Sequence, residues 1–191
     1  MANWASTAYA IEGPVEILER IKKAIMDAII DKRNFYDEYK ALVNLGYSTL
    51  GLDECLLGGN ITDEPDLNDG VLRFWAEERW GLQNFNVLLE KLFPEIKVYW
   101  VVEESGCEVY CTNDKEGKYF PDRYWVDTCV DDNYQSEYFR DEESMYKWLS
   151  KLTEGRVTNS EQVDEFNSDY EDSDSFEENF ISIHEFQIEE D

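Results

Sequence analysis

Apolar residues recur along this chain with two different periods, and the switches between them mark out the elements. Residues 4–12 alternate loosely between polar and apolar, and Gly13-Pro14 then ends a strand and opens a helix. Over 14–30 the set Val15, Ile17, Leu18, Ile21, Ala24, Ile25, Ala28 and Ile29 returns every three or four positions. That spacing predicts an amphipathic helix with one stripe for the core. Residues 34–45, with Phe35, Tyr36, Tyr39 and Leu42, predict a second helical piece before Gly46. From 46 to 70 the pattern is mixed, and Gly58-Gly59 and Glu64-Pro65-Asp66 mark loops.

Residues 71–80 have the β-branched and aromatic character of a strand. Residues 84–93 read as a short helix, with Phe85, Leu88, Leu89 and Leu92 on one side and Pro94 as the stop. Three strands are expected next, over 96–103, 107–112 and 119–130, joined by turns at Glu104-Ser105-Gly106 and at 113–117. Consecutive hairpins of this kind make an antiparallel meander. A last helix is expected over 141–152, with Asp141 as its cap and Met145, Trp148, Leu149 and Leu152 turned inward.

Composition changes the picture after Arg156. Residues 157–191 hold acids, aromatics and serines but no lysine or arginine. The expected organisation is therefore an α+β domain over 1–156 and an acidic, aromatic extension over 157–191. The extension is expected to be partly packed, since Ile181, Ile183, Phe186 and Ile188 suffice for a docked strand. Across all 191 residues, 44 acids face 17 bases for a formal charge of −27, while hydrophobic and aromatic fractions of 42 % and 15 % are too high for a disordered chain. Such a field disfavours direct contact with nucleic acid or anionic lipid. Two uses remain: repulsion that keeps the chain soluble, or engagement of a basic surface on another protein.

No run approaches the roughly 18–20 apolar residues of a membrane span. Residues 1–9 lack the basic region of a signal peptide, so a cytoplasmic location is expected, with Cys55, Cys107, Cys111 and Cys129 as free thiols. Cys107 and Cys111 fall on one face of a predicted strand, and Cys129 is expected on its neighbour. A zinc site would need a second closely spaced ligand pair, and none occurs. His184 is the single histidine and lacks a catalytic or metal-ligand partner at a telling spacing. The acids over 63–70 do not follow the ligand order of an EF-hand, so a solvated loop is expected there. No phosphate loop, dinucleotide fingerprint or nucleophile elbow is present, and no cofactor is implied.

The opening Met1-Ala2-Asn3-Trp4, the strand ending at Ile11-Glu12-Gly13 with its following helix, and the later Trp80, Phe93-Pro94 and Glu103-Glu104-Ser105-Gly106 resemble the YubB ferredoxin-like family of phage, plasmid and gut-bacterial proteins. The resemblance covers residues 1–130. Where that family carries a proline pair after its central tryptophan, this chain has Gly81-Leu82-Gln83. The resemblance implies a ferredoxin-like antiparallel sheet with helices on one face, and a mobile-element setting. It implies no catalytic residue.

The candidate partner-binding residues lie in the acidic extension: Asp164, Glu165, Asp169, Tyr170, Glu171, Asp172, Asp174, Phe176, Glu177 and Glu178, interleaved with Phe166 and Phe180. Carboxylates on a rigid frame imitate phosphate spacing, and aromatics anchor in grooves. The expected function is a non-enzymatic inhibitory binding protein that occupies the basic surface of a nucleic-acid-binding or defence protein. The alternative is a structural or regulatory module that recognises its partner through an aromatic surface around Trp75, Trp80, Trp100 and Trp125.

Overall fold

The computed structural model describes residues 4–31, 35–48, 57–79, 84–171 and 179–189, with 169–171 by backbone alone. The chain is a mixed α+β protein that divides into two compact units, Met1–Phe120 with Ile188–Asp191, and Pro121–Gln187.

In the first unit, β1 (Trp4–Glu12) is the central strand, antiparallel to both β4 (Val71–Arg79) and β5 (Lys97–Glu104). Short strands β2 (Gly59–Ile61) and β3 (Asp66–Asn68) pair with β4, and β6 (Val109–Thr112) pairs with β5. The order is β6-β5-β1-β4-β2, and β10 (Gln187–Ile188) closes the edge beside β6. Tyr9, Ile11, Leu72, Phe74, Ala76, Val98, Trp100 and Val102 share one sheet face by period-2 alternation. Onto that face pack α1 (Val15–Ile30) through Leu18, Ile21 and Ile25, α2 (Asp37–Asn44) through Ala41 and Leu42, and α3 (Phe85–Leu92) through Phe85 and Leu89.

Most expected elements of this unit are present, with informative differences. Gly59 stands in a strand rather than a loop, and the stretch over 63–70, expected as a solvated loop, contains β3 and the turn of the β3–β4 hairpin. Its tip, Asp69-Gly70, has φ of 53° and 74°, the left-handed pair of a tight two-residue turn. The expected third strand of the meander does not begin at 119. Asn113 takes over the edge of β5: its Oδ1 accepts the Trp100 N–H at 2.8 Å and its Nδ2 donates to the Val98 carbonyl at 2.9 Å. A side-chain amide thus extends the ladder where backbone pairing stops. The next residue, Asp114, gathers the N–H groups of Lys118, Tyr119 and Phe120 at 3.0, 2.6 and 2.9 Å. Those donors are therefore withdrawn from any strand.

The second unit is built on a three-stranded sheet, with β7 (Tyr124–Val130) between β8 (Asn133–Phe139) and β9 (Phe180–Glu185), both antiparallel to it. Helices α4 (Glu142–Leu152) and α5 (Ser160–Glu171) cover one face through Met145, Leu149, Val163 and Phe166, against Val126, Val130 and Ile181. Strand β8 follows the pair Asp131-Asp132, with φ of 51° and 61°. The cap at Asp141 is as expected, its carboxylate accepting the Ser144 N–H at 2.7 Å, although Trp148 and Leu152 are half-buried.

The two units part at Phe120–Pro121, not at Arg156, and the described parts of 157–187 supply α5 and β9 to the second unit. Val157, Val163, Phe166 and Ile181 are buried there, so these stretches are core rather than appendage. Among the described residues no helix is long and apolar enough to cross a membrane.

Removing the Asn113 amide strips a buried donor and a buried acceptor of their partners. Asn113→Ala should lower the unfolding free energy by about 2 kcal/mol, read as a fall in the urea midpoint at constant slope. A loss below about 0.5 kcal/mol would show that the side chain does not carry the ladder.

Candidate acidic binding cleft

The side of the second unit's sheet that carries the helices also carries a cleft of about 400 Å³. Its polar rim is Tyr124, Glu142, Tyr146, Asp164, Asn167 and Glu185, and its apolar floor includes Met145, Val163 and Ile183. The local sequence explains the convergence. On α4, Glu142 and Tyr146 are four apart and share a face; on α5, Ser160, Asp164 and Asn167 do the same at steps of four and three. On β9, Ile181, Ile183 and Glu185 alternate onto the helix side, and Glu185 is paired in register with Tyr124 of β7.

Asn167 fixes the two walls relative to each other. Its amide donates to the Ile181 carbonyl and accepts the Ile181 N–H, both at 2.9 Å, so α5 is fastened to the edge of β9. The start of α5 is also anchored: Asn159 accepts the Gln162 N–H at 3.0 Å, and Gln162 reaches back to the Thr158 N–H at 2.8 Å. The rim is therefore held on secondary structure rather than on a loop.

Charge and burial act together in the cleft. Burial first, and then Glu185 and Glu142, push the Tyr124 phenol above its ordinary range. Burial followed by Glu142 does the same for Tyr146. Both phenols thus remain donors well above neutral pH, beside the exposed carboxylates of Glu142, Asp164 and Glu185. A neighbouring hollow of about 560 Å³ shares Glu142 and Tyr146 and adds Glu143, Lys147 and Asn159. Residues 121–187 hold 19 acids and 5 bases, a formal charge of −14. The arrangement suits a cationic group that is wet on one side and stacked on tyrosine on the other. No group of three or more potential metal ligands occurs among the described residues.

Of the candidate binding residues read from the sequence, Asp164 lines this cleft, and Glu165 is exposed on α5 outside its lining. Asp169, Tyr170 and Glu171 fall in the last turn of α5, where backbone alone is described, and Asp172, Asp174, Phe176, Glu177 and Glu178 lie outside the described residues. Phe166 is corrected from an anchor to a core residue: it is 5 % exposed, with the Arg156 guanidinium 4.9 Å from its ring centre. Trp100 is likewise core, 3 % exposed, while Trp75 is 47 % exposed on the opposite face of its sheet. Trp80 lies outside the described residues. Glu142, Glu185, Tyr124 and Tyr146 were missed because they come from three elements that meet only through pairing.

The cysteines differ from expectation in placement. Cys107 sits in a single 3-10 turn, Ser105–Cys107, Cys111 on β6, and Cys129 on β7 of the other unit, so Cys129 is not on a strand beside them. No disulfide joins these three, and Cys55 lies outside the described residues. His184, which has no catalytic or metal-ligand partner at a telling spacing in the sequence, is stacked on Trp125 with centroids 4.9 Å apart, and its Nε2 is 3.2 Å from Asp127 Oδ1.

A second acidic constellation is sealed inside the first unit. Glu78 of β4 accepts hydrogen bonds from Thr7 and from Tyr9, the latter at 2.6 Å, and Glu38 of α2 is fully buried near it. Burial, and then the Glu78 charge, push the Glu38 carboxyl well above the usual range. Gly59 makes the room: a Cβ there would stand 2.2 Å from the Glu38 carboxyl carbon.

No family model matches the chain, and no curated protein or solved structure is significantly similar to it.

The Glu38 shift has a definite sign in stability. A carboxyl raised in the folded state stabilises fully below the unfolded value, roughly 4.3, and that contribution is lost as pH rises through the folded value. Wild type should therefore lose stability relative to Glu38→Gln as pH is raised from 4 to 8, measured by urea unfolding. Parallel pH profiles for the two proteins would contradict the buried, protonated Glu38.

Proposed function

We propose that this protein is a non-enzymatic binding protein whose second unit engages a basic surface on another protein, in competition with nucleic acid. The observation that carries the reading is the cleft edged by Glu142, Asp164 and Glu185 with Tyr124 and Tyr146. Carboxylates held on two helices and a strand present fixed negative charge, as a phosphate backbone does, and a partner's lysines and arginines would exchange their counterions for it. The flanking phenols add apolar contact at low conformational cost.

An inhibitory role in a mobile-element setting is the biological form of this proposal. It rests on the family resemblance over residues 1–130. The strand order β5-β1-β4-β2, with helical segments α1–α2 and α3 on the connections from β1 and from β4, supports a ferredoxin-like reading of that region. The alternative of one aromatic recognition surface is weakened by Trp100, which is spent on the core of the first unit.

The test is capture at low salt from a host lysate, followed by a salt gradient and competition with duplex DNA. A partner released by moderate salt, and displaced by DNA, supports the proposal. With that partner purified, the triple variant Glu142→Gln, Asp164→Asn, Glu185→Gln should bind about tenfold more weakly at 100 mM salt, since exposed pairs contribute about 0.2–1 kcal/mol each. Wild type and variant should converge near 500 mM. A partner that stays bound through high salt and ignores DNA overturns the reading.

A further inference from the structure

The opposite face of the second unit's sheet is organised in three rows that cross all three strands. Register places Tyr138, Trp125 and His184 in one row, Ser136, Asp127 and Ser182 in the next, and Tyr134, Cys129 and Phe180 in the third. The outer rows are largely aromatic and continuous: Trp125 lies 6.4 Å from Tyr138 and 4.9 Å from His184, and Tyr134 meets Phe180 edge-on at 6.2 Å. The middle row is polar. Successive rows stand about 7 Å apart, two residues along a strand.

This face is open. Tyr134 is 63 % and Tyr138 43 % exposed, and a hollow of about 270 Å³ is lined by Trp125, Asp127, Tyr134, Ser136 and Phe180, with Thr128 and Gln135. The Asp127 carboxylate is about a third exposed, and Oδ1 is the oxygen that faces His184. A carboxylate between aromatic rows, flanked by two hydroxyls, in a unit with a formal charge of −14, calls for a cation that is flat and rich in donors. Guanidinium meets those terms better than ammonium, because it stacks on aromatic rings and offers several coplanar N–H groups to a carboxylate and adjacent hydroxyls.

We propose that this face is an arginine-binding site, in which an arginine side chain of the partner lies between the aromatic rows with its guanidinium on Asp127, Ser136 and Ser182. The inference rests on the basic-partner reading above and adds to it the residue recognised and a second contact surface, on the side of the sheet away from the cleft. Sugars and nucleobases also stack on aromatic faces and donate hydrogen bonds to carboxylates, but neither brings the positive charge that a guanidinium sets against Asp127.

Two fluorescent decapeptides, alternating Arg-Gly and alternating Lys-Gly, carry equal charge and serve as probes by anisotropy with the full-length protein at 150 mM salt. The arginine peptide should bind at least fivefold more tightly. Asp127→Asn and, separately, Tyr134→Ala at its exposed position should each remove that preference. Glu142→Gln with Asp164→Asn should weaken both peptides alike and leave the preference in place. Equal binding of the two peptides, or a preference that survives Asp127→Asn, overturns the arginine site while the basic-partner reading stands. Failure of both peptides to bind overturns both.

Discussion

The second unit depends on one strand. β7 is hydrogen-bonded on both edges, so its register fixes β8 and β9 together, and its alternation sorts side chains to two faces with different chemistry. Tyr124, Val126, Thr128 and Val130 face the helices, and Tyr124 stands on the rim of the acidic cleft. Trp125, Asp127 and Cys129 face the other way and centre the three rows of that face. A slip of one residue would put the tryptophan in the core and the valines in solvent. The apolar contacts that pin β7, Val126 and Val130 against Met145, Leu149 and Phe166, therefore also position both candidate surfaces.

The first unit shows the same logic with a different cost. Its central strand β1 brings Thr7 and Tyr9 to Glu78 inside an otherwise apolar sheet face, and α2 brings Glu38 to the same place. Two carboxyl groups buried near each other cannot both ionise cheaply, so a proton is part of this core. The hydrophobic contacts of α1 and α3 with the sheet must exceed that cost for the unit to fold. Nothing in the constellation reaches solvent, which separates it from the exposed carboxylates of the second unit.

Elements with a strong local period were legible in the sequence: β1, α1, β4, α3, β5 and α4 all follow apolar spacing or a cap. What was hidden depended on partners distant in sequence. β8 was not among the expected strands because its residues are mostly exposed, and its pairing with β7 supplies what apolar content does not. α5 was obscured by its acids, although Asn159 and Gln162 stand at cap spacing and Val163 and Phe166 are three apart. Strand β7 has ordinary strand composition, and composition does not say which sheet it joins; the edge beside β6, where a continued meander would place it, is taken by β10. The Asp127–His184 contact joins residues 57 apart in sequence, and only register brings them together. For the site, the acids of 157–191 were recognised as a class, while the members that form a rim were set by helix and strand faces.

Formal charge alone distinguishes the units weakly, since 25 acids and 12 bases in the first compare with 19 and 5 in the second. The distinction lies in how the charge is mounted. In the second unit, carboxylates stand beside tyrosines in a cleft with fixed walls, an arrangement that on the proposed reading serves contact rather than solubility alone. The most direct test of that claim is hydrogen exchange of the full chain with and without a saturating arginine-rich peptide. The account predicts slowed exchange confined to the second unit, at β7, β9 and the facing turns of α4 and α5. Protection centred on β1 and β4, with the second unit unchanged, would contradict it.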